Sequence, residues 1–513
     1  MDKNFYITTP IYYPSAKPHM GHAYSSIIAD VFARFKKIDG YSVHFLTGTD
    51  EHGLKIQRAA EKAGVEPLIF CDEISKTFND LSKTLNLSNT DFIRTTEKRH
   101  IKSVQNLWSI LEKNDDIYLS KYSGWYSVSD EAFYNEDEII VKDNLKISIS
   151  SGSSVEWIEE ESYFFRLSKW QDKLLDYYKK NPDFILPQTR KNEVISFVKS
   201  GLRDLSISRK SFSWGIKVPN NSEHVIYVWL DALTNYLSAL NYPDQKDNLF
   251  KKYWPADLHL IGKDILRFHA IYWPAFLLAA NIPLPKRVYG HGWILSGEEK
   301  MSKSKGNILD PLEIINHYGL DPLRYYLLKE VSFGSDGNIS RDKLEDCINS
   351  DLANNFGNLC QRVTAFNEKN CSGLVPKNTS FNNDDLKILN NFSANLNELR
   401  NNIDNQNLNF YMNFIINSLF EANKYFNDQE PWKKKGDLNR LNTIVFVSLE
   451  IIRKITILLF PIIPDTSIKV LKIFNLGEKD IILSTISDHK YLKSGKKITK
   501  IPILFKKIEK KHD

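Results

Sequence analysis

Two short stretches carry residue types suited to holding a triphosphate. The first, His19-Met20-Gly21-His22, sets two imidazoles around a glycine. The second, Lys300-Met301-Ser302-Lys303-Ser304 followed by Lys305-Gly306-Asn307, sets two ammonium groups three positions apart among hydroxyls. Ring N–H groups and ammonium groups donate to phosphate oxygens, and a Gly-Asn close marks a turn. Alone, a His-x-Gly-His turn also serves as plain punctuation, because short motifs recur by chance. Paired with a lysine-serine loop, it describes a phosphate grip built in two pieces.

These stretches need elements to position them. Residues 5–14 form a short stretch, β-branched and aromatic, that stops at a proline, Pro14, and reads as a buried strand. After His22, apolar residues at Tyr24, Ile27, Ile28, Val31, Phe35 and Ile38 give a helical period, and Gly40 supplies the stop. The histidines therefore fall where a strand hands over to a helix N-terminus, whose N–H groups and dipole favour an anion. Gly21 lets a flat ring or a phosphate approach the backbone. A second strand, 41–46, runs into Thr47-Gly48-Thr49-Asp50-Glu51-His52-Gly53. Helix to Gly64, helix 67–85, strand 92–95 and helix 97–113 follow, the alternation of a parallel sheet covered on both faces. Ligands of such sheets lie beyond the carboxyl ends of the strands, where Ile11, Tyr13, His19 and Asp50 arrive. From 116 to about 222 the helical period lapses into aromatic and β-branched segments between turns. The parallel alternation is expected to resume with a strand at 225–232, then 258–262 and 288–295. From about 341 the chain reads as long amphipathic helices, the pattern of a bundle.

Together the two stretches resemble the paired signatures of class I aminoacyl-tRNA synthetases. The residues around them, including 162–168 and 201–209, are similar to the methionyl-tRNA synthetases over nearly the whole chain. The resemblance implies an α/β fold: a Rossmann-type parallel-sheet nucleotide-binding domain, an inserted β-rich connective domain and a C-terminal α-helical anticodon-binding bundle. The expected divisions are 1–115 and 223–285 for the two Rossmann halves, 116–222 for the insert, 286–340 for the lysine loop and stem contact, 341–495 for the bundle and 496–513 for a basic tail. The resemblance also implies the roles of residues. His19, Gly21, His22, Lys300 and Lys303 fall on ATP, and His19, His22, Lys300 and Lys303 carry the catalysis, with Mg²⁺ assisting. Ile11, Tyr13, Asp50, Trp229, Ala232, Leu233, Tyr236, Ile265, His269 and Trp273 form the methionine pocket. Asn358, Arg362 and Trp432 read the anticodon. Aromatic faces suit a polarizable thioether, Tyr13 and His269 are expected to offer it hydrogen bonds, and Asp50 suits an ammonium. Leu233 departs from relatives that have proline there.

A second departure concerns metal. Many relatives place cysteine pairs in the insert to hold zinc, whereas this chain has Ser127-Val128-Ser129-Asp130 and Ser151-Gly152-Ser153-Ser154. Thiolates are the ligands such a zinc needs, so no structural zinc is expected. The only cysteines, Cys71, Cys347, Cys360 and Cys371, form no Cys-x-x-Cys pair, and a reducing compartment is the default. No apolar run reaches transmembrane length, the chain opens almost directly into a strand, and a net charge of +5 is only mildly basic. The expected setting is cytoplasmic, without a membrane. The expected partners are L-methionine, ATP and the initiator and elongator forms of tRNA(Met). The chain stops before the dimerising module of some relatives, so a monomer is expected. Lysines crowd the tail after Gly495, where Ile498, Ile501 and 503–505 are expected to pack back. Three competing readings are weaker. A leucine or isoleucine enzyme of this class carries a larger editing insert, a silent tRNA-binding paralogue does not need both phosphate stretches, and a plain nucleotidylyltransferase lacks the bundle.

Overall fold

In a computed structural model that describes residues 3–14, 17–127, 132–134, 136–142, 145–296, 299–300 and 310–509, the β-branched start of the chain forms strand β1, Asn4–Tyr12. It lies near the middle of a six-stranded sheet with β2, Ser42–Thr49, and β3, Asp91–Arg94, on one side. On the other side come Leu258–Gly262, Val288–His291 and the edge strand Ile185–Leu186. The pairings of β1 with Leu258–Gly262, of that strand with Val288–His291, of the latter with Ile185–Leu186, and of β2 with β3 are parallel. This is the Rossmann-type sheet expected. Its central strands are buried on both faces, as a sheet covered on both sides requires.

Two expectations fail, one within the insert and one just after it. Residues 116–165 are β-rich as read: Ile117–Ser127 and Glu156–Phe165 form a long antiparallel ladder. The chain then folds into two helices, Gln171–Lys180 and Gln188–Lys199, joined by the strand that edges the parallel sheet. Aromatics at Trp170, Tyr177 and Tyr178 imitate strand composition there, but Leu174 and Tyr178 are buried four apart, which is helical. The strand expected at 225–232 is also wrong. Asn221–Ile226 pairs antiparallel with Ser208–Arg209 and Lys217–Val218, and Trp229 opens a short helix, Trp229–Leu233. The parallel sheet is regained only at Leu258.

The chain divides into two compact units. One comprises 4–18 and 43–291 and contains the parallel sheet and the insert. The other joins residues 1–3 and 19–42 to everything from 292 onward. Within the latter, helix α1, Met20–Ile38, is buried nearly all round. Its Asp30 receives Arg34 Nε at 2.7 Å and Arg324 at 2.6 Å, and Arg324 also donates to the carbonyls of Pro461 and Ile462. A carboxylate buried this deeply is tolerated because charged donors satisfy it. The bundle follows as read, in helices Asn358–Asn370, Asn383–Asp404, Leu408–Asp428, Leu438–Leu459 and Pro464–Ile473. The tail packs back through buried Ile498, Ile501 and Phe505, while Ile503 points to solvent. Ile498 N donates to Gly373 O at 2.7 Å, and Ile501 N to Thr364 Oγ1 at 3.0 Å.

Candidate functional site

The phosphate-suited stretch is built almost wholly by its own neighbours. The helix starts at Met20, earlier than the sequence suggests, with His19 as its N-cap. Gly21 N donates to His19 Nδ1 at 3.1 Å, and His19 N donates to His22 Nδ1 at 3.1 Å, a reciprocal cap. The rings stack, with centroids 3.8 Å apart. A Cβ on residue 21 would come within 3.0 Å of the His19 ring, so the flat ring for which the glycine makes room is that of His19. Because each Nδ1 accepts a main-chain N–H, each ring proton sits on Nε2. His22 is only half-exposed and hemmed in. That crowding first, and second the repulsion that protonating both stacked rings would bring, push its pKa well below the ordinary 6.5. The pair thus offers donors at a helix N-terminus, with His22 neutral rather than cationic.

The strand Ile294–Ser296 packs beside α1 and pairs antiparallel with Glu299–Lys300, Leu295 opposite Lys300. The backbone of Lys300 therefore lies in a hairpin strand of the same unit as the histidines, where a loop was expected. Lys303 lies outside the described residues.

The expected methionine pocket falls wholly within the unit of the parallel sheet. Ile11 and Tyr13 follow the end of β1, and Asp50 follows β2, its N–H donating to Tyr12 O at 3.0 Å. Trp229, Ala232 and Leu233 lie on one short helix, and Ile265, His269 and Trp273 follow the strand Leu258–Gly262. The set divides by depth. Leu233, Tyr236 and Trp273 are sealed in the main core, whereas Ile11, Trp229 and Ile265 are partly exposed and pack against it. Trp229 lies flat on Phe268 at 3.6 Å between centroids. His269 Nδ1 is 3.0 Å from Ile265 O, which can only accept, so Nδ1 carries the proton. Its Nε2, 2.7 Å from Tyr236 Oη, then accepts from that hydroxyl. Burial holds the ring neutral, with its pKa down to about 4. The expected donation from His269 to a sulfur is therefore not available: both nitrogens are engaged and Nε2 is an acceptor. Tyr13 Oη donates to His52 O at 3.1 Å, with Lys55 Nζ 5.2 Å from its ring centre.

Sequence reading missed the carboxylate behind this pocket. Asp231, fully buried, takes His52 Nδ1 at 2.7 Å and His100 Nε2 at 2.8 Å. Its presence between Trp229 and Ala232 was visible, but nothing local pairs it with residues about 130 and 180 positions away.

In the bundle, Asn358 and Arg362 lie one turn apart on helix Asn358–Asn370. Arg362 donates to Asn427 Oδ1 at 2.5 Å and stands 5.6 Å from the Phe426 ring centre. Trp432 meets the same Phe426 edge-on at 6.2 Å and is 41% exposed, too open for a core tryptophan. The structure therefore gathers Arg362 and Trp432 around Phe426, which sequence reading did not single out.

Among the described residues, no group of three His, Cys, Asp or Glu side chains could hold a metal ion, and the first serine stretch of the insert, 128–130, lies outside them. Ser148 and Ser150 hydrogen-bond each other at 2.9 Å in the turn before the second stretch. Among the described residues, no helix is long and apolar enough to cross a membrane.

Comparison with known proteins agrees with this architecture. The family described as tRNA synthetases class I (M) matches residues 5–364, and the anticodon binding domain of methionyl tRNA ligase matches 375–513. A methionine–tRNA ligase of Brucella suis biovar 1 is 50% identical over 473 residues, 92% of each chain. That of Rickettsia conorii is 48% identical over 513 residues, 99% of this chain and 100% of the relative. A Mycobacterium tuberculosis methionyl-tRNA synthetase in complex with methionyl-adenylate superposes with a TM-score of 0.95 at 45% identity, covering 98% of this chain and 99% of that one. The free form of the same enzyme gives 0.90 at 41% identity, covering 99% of each.

Proposed function

The chain belongs to the methionyl-tRNA synthetase family of class I and joins methionine to tRNA as a ligase, and we propose that its two units divide that work between the residues described above. In the first step a methionine carboxylate oxygen attacks the α-phosphorus of ATP. The bond to the bridging oxygen breaks, and pyrophosphate leaves with methionyl-adenylate formed. His19 and His22 donate from Nε2 to phosphate oxygens at the α1 N-terminus, and Lys300 and Lys303 neutralise the β- and γ-phosphates of ATP taken as its Mg²⁺ complex. Asp50 receives the substrate ammonium. The thioether lies among Ile11, Tyr13, Trp229 and Ile265, while Ala232, Leu233, Tyr236, His269 and Trp273 shape the pocket from behind. In the second step a hydroxyl of the terminal ribose of tRNA(Met), initiator or elongator, attacks the activated carbonyl and AMP leaves. Arg362, Asn358 and Trp432 recognise anticodon bases by edge and by stacking.

The observation that supports this most is the reciprocal histidine cap, which fixes both Nε2 protons beside a helix dipole. The reading extends to a cytoplasmic monomer without structural zinc. Its test is ATP–pyrophosphate exchange, expected with methionine and absent with leucine. Exchange with leucine, or with neither amino acid, contradicts it. Trp432→Ala is expected to leave exchange intact and to weaken tRNA charging by about tenfold, the scale of one lost base stack. Equal loss in both assays removes Trp432 from anticodon recognition.

A further inference from the structure

Three elements of the methionine-side unit meet on one carboxylate. Asp231 belongs to the helix that carries Trp229, Ala232 and Leu233. His52 belongs to the loop that carries Asp50, and His100 to helix Lys98–Lys113. Each Asp231 oxygen takes a different imidazole, at 2.7 and 2.8 Å. Burial by itself would raise the carboxyl, yet His52 and His100 hold it down to about 2, so it is an anion between two donors.

Neither imidazole is loosely held. His100 Nδ1 meets Ser238 Oγ at 3.0 Å, and Ser238 in turn donates to Thr234 O. The His52 ring stands edge-on to Trp214, whose indole N–H donates to Glu51 O at 2.6 Å. Glu51 is clamped by Arg94 at 2.7 and 2.9 Å and by Thr96 at 2.6 Å. The main-chain oxygen of His52 is the one that receives Tyr13 Oη. Thus Asp50, the anchor of Tyr13 and the helix of Trp229 all connect through Asp231. Taking a carboxylate out of water costs more than filling the space with apolar side chains, so stability alone does not account for it.

We propose that Asp231 is a positioning residue that sets methionine affinity, by fixing the helix of Trp229, Ala232 and Leu233 to the loop of Asp50 through His52 and His100. It touches no substrate. The proposal rests on the reading that these residues hold methionine.

Steady-state exchange with Asp231→Asn tests it. The KM for methionine is expected to rise by about tenfold or more, as when reacting groups are displaced by a fraction of an ångström. The KM for ATP and the fraction of active sites by adenylate burst are expected to stay within about twofold. A merely structural role would lower the active fraction and melting temperature and leave the methionine KM alone. The donor atoms make a second, independent test. Asparagine places its amide where Nδ1 lies and glutamine where Nε2 lies. His52→Asn and His100→Gln are therefore expected to retain methionine KM better than His52→Gln and His100→Asn. These four variants decide the matter if Asp231→Asn does not fold. An unchanged methionine KM in Asp231→Asn, or no difference within the pairs, overturns the proposal. Asp50→Asn separates the two layers. If it raises methionine KM while the Asp231 set does not, only the positioning role fails. If it has no effect, the pocket assignment itself fails.

Discussion

The two histidines at the α1 N-terminus and His269, on the proposed methionine side, are the same residue in opposite tautomers. At His19 and His22 the main chain presents N–H groups to Nδ1, so the protons are held on Nε2. At His269 the main chain presents the Ile265 carbonyl to Nδ1, so the proton is held there and Nε2 accepts from Tyr236. A helix N-terminus has surplus N–H groups, whereas within a helix the carbonyl four residues back is the nearest partner. Backbone position thus decides which histidine can donate to an anion and which can only shape a wall.

The largest expected effect comes from breaking the donor side without breaking the cap. His19→Ser keeps an oxygen that caps α1 but has no ring to reach beyond it. Exchange is expected to lose about a hundredfold to a thousandfold in kcat/KM for ATP, the scale of one lost donor to developing charge, with the melting temperature and methionine KM nearly unchanged. A variant that melts early yet exchanges within a few fold of the parent makes His19 a cap only.

A smaller effect is expected on the methionine side. Tyr13→Phe removes only the hydroxyl that donates to His52 O. Net loss of one neutral hydrogen bond predicts a methionine KM raised about two- to tenfold, with ATP KM unchanged. A change in ATP KM instead would place Tyr13 on the nucleotide side and remove the contrast between the two regions.

The contrast also explains what was legible in the sequence. The histidine motif could be read because its geometry is local: a cap spans four residues, and strand-to-helix grammar announces it. The parallel sheet was legible in β1, β2, β3 and Leu258–Gly262 for the same reason, apolar runs closed by turn residues. The failures lie where partners are distant. Residues 225–232 have strand composition, and only pairing with Ser208–Arg209 and Lys217–Val218 shows that the strand is antiparallel and ends at Ile226. Residues 171–180 lie in the stretch where no helical period was read, and only the burial of Leu174 and Tyr178 reveals a helical face. The residues proposed to hold methionine came from resemblance rather than from spacing. The tautomer of His269 and the partners of Asp231 were not visible, because neither is set by neighbours in the chain.

The smallest effect concerns the acceptor tautomer itself. His269 has its pKa lowered by burial from 6.5 to about 4, and His44 is lowered likewise. Above pH 6.5 the imidazole is neutral in both folded and unfolded chains and stability is at its full value. As pH falls through 6.5 toward 4, the unfolded chain takes up a proton that the folded site refuses, so stability declines across that window. His269→Gln places an amide oxygen near the Nε2 position, keeps an acceptor for Tyr236 and cannot titrate. Melting temperatures measured from pH 7 to 4.5 are expected to fall less steeply in this variant than in the parent, with part of the slope left to His22, His44 and His259, which burial lowers in the same direction. Parallel curves would mean that His269 is already protonated in the fold. It would then be a donor like His19, and the opposition of tautomers would be lost.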